Sequence, residues 1–178
     1  MANSYTQLYV QMVFAVKNRQ SLIIPEVKDR IEKYICGIAS NIKCKPISIY
    51  CNPDHVHLLI SIKPVVSTAN AIRDIKSFSS RYINENCLVK EHFEWQTGYG
   101  AFSYGQSQIE AVKAYIANQD NHHKKQSFKE EYLALLAAFQ VDYDDSYLFD
   151  WLIKFACDAG KVSWCISLSY SILRILLR

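Results

Sequence analysis

The chain lacks several features that would settle its class at once. Six cysteines are present (Cys36, Cys44, Cys51, Cys87, Cys157 and Cys165), and none forms a CxxC pair. That excludes a zinc ribbon and a thioredoxin-type redox motif. Residues Met1 to Gln11 are polar and lack the basic-then-apolar layout of a signal peptide. With no export signal, the expected location is the cytoplasm, with the cysteines as reduced thiols. The apolar run Val162 to Leu177 is shorter than the roughly 20 residues of a spanning helix. It also carries Ser163, Ser167, Ser169, Ser171 and Arg174, so no membrane partner is expected.

What remains is a globular chain. Its 178 residues suit one domain with a real core. Half the residues are hydrophobic and 13% aromatic, and neither an internal repeat nor a low-complexity linker is visible. Net charge is +3, unevenly spread. Residues 1–126 hold 15 Lys+Arg against 10 Asp+Glu, whereas residues 127–151 hold one Lys against six acids. The basic front two-thirds suits a polyanionic partner without proving one.

Hydrophobic periodicity orders the elements. Residues 5–16 read as a first strand, and Pro25 opens a helix with Ile31, Tyr34, Ile35, Ile38 and Ile42 at helical spacing. Residues 47–51 and 55–62 read as a hairpin across the turn Asn52-Pro53-Asp54. Ser67 caps a second helix with Ile72, Ile75, Phe78, Tyr82 and Ile83 as its apolar stripe. Residues 93–104 read as a fourth strand region broken by Gly98 and Gly100. Ser107 to Glu110 and Ser127 to Glu130 are capping-box patterns that open two further helices. The order β-α-β-β-α-β predicts an α+β fold, the ferredoxin-like split βαβ: an antiparallel sheet with two helices on one face. The next helix is the natural cover for the other face. Residues 1–151 form the expected domain and 152–178 a tail of unknown role.

Two segments carry chemistry. His55 and His57 lie two apart on a strand and so share a face. Tyr115 and Gln119 lie four apart on a helix and share a face too. If the faces meet, two imidazoles, an amide oxygen and a phenol converge, which suits a divalent metal and a phosphate ester near a tyrosine nucleophile. Each has an ordinary alternative: partly buried histidines, and a core tyrosine. Gln119 weighs against the ordinary reading, because a polar group on a buried stripe wants a partner. A histidine-triad transferase would place a third His where Leu59 stands. His122 and His123 read as ligands, phosphate contacts or solvated helix-end residues. Lys124 and Lys125 suit either a nucleic-acid backbone or a helix C-terminus. Trp95, Tyr99, Phe102 and Tyr104 suit either base stacking or the sheet core.

Three motifs in order carry a resemblance over about Tyr5 to Trp151: Asn52 to Ile60 (NPDHVHLLI), Trp95 to Ser103 (WQTGYGAFS), and Tyr115 to Gln119 (YIANQ) followed by His122-His123. Ile75 to Arg81 adds a fourth segment. Together they resemble the HUH-type single-tyrosine transposases of small bacterial insertion sequences and the REP-associated tyrosine transposases. The resemblance implies His55, His57 and Gln119 as metal ligands, Mg²⁺ with Mn²⁺ as substitute, and Tyr115 as nucleophile. It implies cleavage and rejoining of single-stranded DNA at hairpin-bearing ends, by a homodimer whose tyrosine serves either subunit's histidine pair. Lys76, Arg81, Tyr99, His122, His123 and Lys124 are the expected DNA contacts. The same chemistry would suit a host-adopted relative that processes repetitive hairpins; a non-catalytic nucleic-acid-binding domain is the rival from another class.

Overall fold

The computed structural model describes residues 5–144 and Leu148. Expectations for residues 152–178, with their apolar run Val162 to Leu177, lie outside the described residues, as does the domain boundary at Trp151.

Four strands form one antiparallel sheet in the order β2-β3-β1-β4. They are β1 (Tyr9–Ala15), β2 (Lys45–Cys51), β3 (His55–Ser61) and β4 (Gly100–Tyr104). Helix α1 (Pro25–Asn41) joins β1 to β2, and α2 (Thr68–Glu85) joins β3 to β4. This is the expected ferredoxin-like arrangement. Three more helices follow: α3 (Ile109–Ala117), α4 (Gln119–His122) and α5 (Phe128–Ala138).

Strand alternation divides the core into two layers. Met12, Phe14, Val56, Leu58 and Ile60 point to one face and pack on Ile31, Ile35, Ile72, Ile75 and Ile83 of α1 and α2. Val13, Ala15, Leu59, Phe102 and Tyr104 point to the other and meet Val112, Ile116, Phe128, Tyr132 and Leu135 of α3 and α5. The second layer thus has two covering helices where one was expected. Strand β3 is central and covered on both faces, so the side that carries His55, His57 and Leu59 is as buried as its opposite.

Several boundaries differ from the sequence reading. The first strand starts at Tyr9, not Tyr5; Tyr5 is 92% exposed and has no pleated neighbour to pack on. The fourth strand is Gly100–Tyr104, not 93–104. Trp95 makes one isolated bridge with Val16, and Gly98, at φ 84, bends the chain between bridge and strand. Phe78 stands 43% exposed instead of joining the α2 stripe. Ser107 is not a cap: a 3₁₀ turn (Gln106–Gln108) precedes α3, and the Gln108 side chain accepts from the Gly105 N–H at 2.9 Å. The caps at Ser67 and Ser127 form as read: each hydroxyl accepts the N–H three residues on, from Asn70 and from Glu130.

Candidate active site

The turn Asn52–Asp54 and the pleat of β3 set the first half of the site. His55 Nδ1 lies 2.6 Å from Asp54 Oδ1, and Arg19 pairs with the other oxygen of that carboxylate. Arg19 sits in the left-handed region (φ 56), and its guanidinium lies 4.1 Å from the centre of the Phe128 ring. His57 Nδ1 lies 2.9 Å from the Gln11 amide nitrogen, and Gln11 Oε1 accepts from Tyr104 OH at 2.8 Å. Each ring is therefore held through Nδ1, which turns both Nε2 atoms into the space under α3 and α5.

The second half comes from the helices. A break at Asn118 (φ −97, ψ 19) separates α3 from α4, so Tyr115 and Gln119 do not share one helix as expected. Both still reach the histidines. The Tyr115 ring stands edge-on to His57 with centroids 5.9 Å apart. Gln119 is fully buried; its Oε1 accepts from Asn52 Nδ2 at 3.3 Å and its Nε2 donates to Glu131 Oε1 at 2.9 Å. Tyr115 OH donates to the same Glu131 oxygen. His123 is part of the cluster, its Nε2 3.0 Å from His55 Nε2, and His122 packs against Tyr115 at 5.4 Å. Both stand at the end of α4, as the helix-end reading has it, but half-buried instead of solvated, His122 beside the phenol and His123 beside His55. Tyr115, His122 and His123 mark the side of the cluster that is open to solvent.

Electrostatics follow from burial. Burial pushes the His55 imidazole down to about 3, against the pull of Asp54, so the ring is neutral near pH 7. Burial opposes charge on Asp54 too, but His55 and Arg19 outweigh it and hold the carboxyl at about 2. For Glu131 burial is again outweighed, here by His57, His123 and His55, and the carboxyl stays ionised, well below its usual range. Burial and the adjacent Glu131 charge push the Tyr115 hydroxyl well above the usual phenol range. Burial lowers His122.

Glu131 was not singled out in the sequence, nor were Asn52, Asp54 and Gln11 as site residues. Yet Glu131 sits three residues after buried Phe128 and four before buried Leu135, a polar group on an apolar stripe. The argument that picked out Gln119 applies to it equally. His55, His57, His123 and Glu131 each offer a donor atom, all within 4.8 Å of one another. His57 Nε2 and Glu131 Oε2 are buried without a hydrogen-bond partner. A buried carboxylate oxygen and an imidazole nitrogen left without partners fit a divalent cation.

The other expected DNA contacts have partners of their own or are exposed. Lys76 donates to the carbonyls of Gln96 and Gly98, and burial lowers it to about 8. Tyr99 and Lys124 are exposed, Lys124 beside Asn121 at 3.2 Å, and Arg81 lies near the Phe78 ring. Phe102 and Tyr104 belong to the core, and Trp95 donates to Ser79 Oγ at 2.8 Å while packing on Phe14 and Phe93. A groove of about 1220 Å³ at the far end of the sheet carries Lys43, Lys45, Lys63 and Lys113 with Tyr5 and Tyr9.

A ferredoxin-like sheet with a histidine pair on its central strand and a tyrosine facing them from a covering helix defines a candidate for phosphoryl-transfer chemistry through a tyrosine. The description "Transposase IS200 like" matches residues 4–119, more than half of the chain, and the chain belongs to that family. It is 31% identical over 75 residues to the ISDra2 transposase TnpA of Deinococcus radiodurans, a match over 42% of this chain. The chain spans about half (54%) of that relative's length. Two solved structures share the fold. One is a crystal structure of a candidate transposase from Deinococcus radiodurans: TM-score 0.54, 22% identity, 67% of this chain and 96% of the other. The second is a REP-associated tyrosine transposase bound to a REP hairpin: TM-score 0.52, 13% identity, 92% and 98%. Among the described residues, no helix is long and apolar enough to cross a membrane.

Proposed function

We propose that the chain is a transposase that cuts and rejoins single-stranded DNA at hairpin-bearing ends, with Tyr115 as nucleophile. One observation carries this reading: Tyr115, Gln119, His55 and His57 converge in one cluster within one chain of the IS200-like family. The Tyr115 oxygen attacks the phosphorus, the P–O3′ bond breaks, and a 5′-phosphotyrosine remains beside a free 3′-hydroxyl. The phenolic proton already points at Glu131 Oε1, and the departing 3′-oxygen takes its proton from water at the open side. The phosphotyrosine ester keeps the energy of the phosphodiester, so attack by a 3′-hydroxyl reverses the step without a nucleotide cofactor.

His55, His57 and Gln119 would hold a divalent metal, Mg²⁺ or Mn²⁺; when bound, it offsets charge on the phosphate and orients the ester. Asp54 and Gln11 fix the two rings from behind, a support that metal-binding histidines commonly have. This reading includes a homodimer that holds two DNA ends together, with the tyrosine serving the histidine pair of its own subunit or of the partner. The lysine groove at the far end of β3, about 20 Å from His55 and about 14 Å from His57 at ~3.4 Å per residue, suits the phosphate backbone of a bound hairpin.

The test is covalent trapping. Labelled single-stranded hairpin DNA from the flanking genomic region, incubated with Mn²⁺ and run on a denaturing gel, should give a protein–DNA adduct that Tyr115→Phe abolishes. DNA that shifts on a native gel but is never covalently held would favour a binding module instead.

A further inference from the structure

Building on the proposed metal-dependent reading, we infer that Glu131 and His123 complete the metal site, and that this donor set selects a transition ion such as Mn²⁺ over Mg²⁺. The argument starts from hydrogens. His55 Nδ1 faces the Asp54 carboxylate at 2.6 Å, and His123 Nδ1 faces the Gln126 carbonyl at 3.2 Å. Both of those partners only accept. A neutral imidazole has one N–H, so both rings spend it on Nδ1 and present a lone pair at Nε2; on His55 that lone pair accepts from the Asn52 amide at 2.9 Å, a bond that a cation would displace. Those two Nε2 atoms lie 3.0 Å apart. Glu131 Oε2, a third acceptor, lies 3.2 Å from His123 Nε2 and 3.8 Å from His55 Nε2.

His57 completes the ring of donors, its Nε2 3.4 Å from Glu131 Oε2. Gln11 can serve either tautomer of His57 by rotating its amide, because its other partner, Tyr104 OH, both donates and accepts. With the amide oxygen toward Nδ1, His57 Nε2 is also a lone pair. Four acceptors then face one another in a buried space, and Glu131 Oε2 and His57 Nε2 find no hydrogen-bond partner. Ligand atoms around a cation at about 2.1 Å stand roughly 3 to 4 Å apart; the contacts above run from 3.0 to 3.8 Å, and all four donor atoms lie within 4.8 Å of one another. The other Glu131 oxygen is fixed by Gln119 and Tyr115, so the carboxylate is pre-oriented with Oε2 toward the imidazoles.

Chemistry of the donors decides the ion. Mg²⁺ prefers oxygen ligands and octahedral geometry with several retained waters. Three imidazole nitrogens, with only the Glu131 carboxylate and the Gln119 amide as oxygen donors, favour later divalent ions. The expected result is that Mn²⁺ binds the chelator-treated full chain roughly tenfold or more tighter than Mg²⁺.

Isothermal titration with Mn²⁺ and with Mg²⁺, on wild type, Glu131→Gln and His57→Ala, separates the possibilities. Loss of Mn²⁺ affinity by about 10- to 100-fold in Glu131→Gln, with a folded circular-dichroism spectrum, is expected. Unchanged affinity in Glu131→Gln alongside loss in His57→Ala overturns the inference and leaves the histidine-pair reading standing. Unchanged affinity in both, or no saturable binding to wild type, overturns this inference and the metal assignment beneath it. Mg²⁺ binding as tight as Mn²⁺ overturns the selectivity. Should Glu131→Gln not fold, wild type labelled with ¹³C at the glutamate carboxylates gives a second reading. Saturating Zn²⁺ should shift one buried carboxylate resonance, and no shift overturns the inference.

Discussion

Acidifying the metal-free protein should destabilise it well before its carboxylates titrate. His55 is the reason. Its folded-state value is about 3 because the ring is buried, while an unfolded histidine titrates near 6.5. A histidine depressed in the fold is bound neutral, so its contribution is fully present above about pH 6.5 and is lost as pH falls toward 3. At ~1.36 kcal/mol per unit, moving from near pH 8 to near pH 5 removes about 2 kcal/mol. His122, also lowered by burial, adds with the same sign. Asp54 and Glu131 are depressed carboxyls whose losses begin only below their ordinary values near 4, outside that window. Urea unfolding in chelator, followed by tryptophan fluorescence, reads this out. With a slope of about 2 kcal/mol per molar, the midpoint should fall by about 1 M between the two pH values. A midpoint that stays level or rises on acidification would refute a buried, neutral His55.

Other substitutions probe the frame around the site. A β-carbon at Gly100 would stand 2.9 Å from the Phe102 and Tyr132 rings, both buried, so Gly100→Ala should cost about 1–3 kcal/mol in urea unfolding; a neutral result would mean that β4 and α5 are less tightly packed. Ser127→Ala removes the hydroxyl that accepts the Glu130 N–H and should cost about 1 kcal/mol. Because α5 carries Glu131, the same variant should also bind Mn²⁺ more weakly, and unaltered binding would show that the helix start does not position the carboxylate.

The fold was legible because its signals are local. Alternation in HVHLLISI put both histidines on one face, and the hydroxyls of Ser67 and Ser127 marked helix starts that the structure bears out. The site was half legible. Two residues of the turn, Asn52 and Asp54, carry site contacts, but turn chemistry alone explained their presence. Glu131 stands in the first turn of α5, where an acid is favourable on dipole grounds whatever it faces. Only the packing of Phe128 and Leu135 against the sheet turns it inward. The break at Asn118 escaped notice because helix periodicity continues across it. The fourth strand was overextended for the opposite reason: Phe93 and Trp95 are strand-like in type, but they pack on the α2 side as an irregular segment.

The central claim is that Tyr115 forms the covalent bond to DNA. The most direct measurement is mass spectrometry of the trapped adduct after nuclease and trypsin digestion. Trypsin should release residues 114–124, AYIANQDNHHK, and the account predicts that this peptide carries a nucleotide phosphate on Tyr115, in metal-containing samples only. An adduct on any other residue, or none across several flanking hairpins with both Mg²⁺ and Mn²⁺, would contradict it.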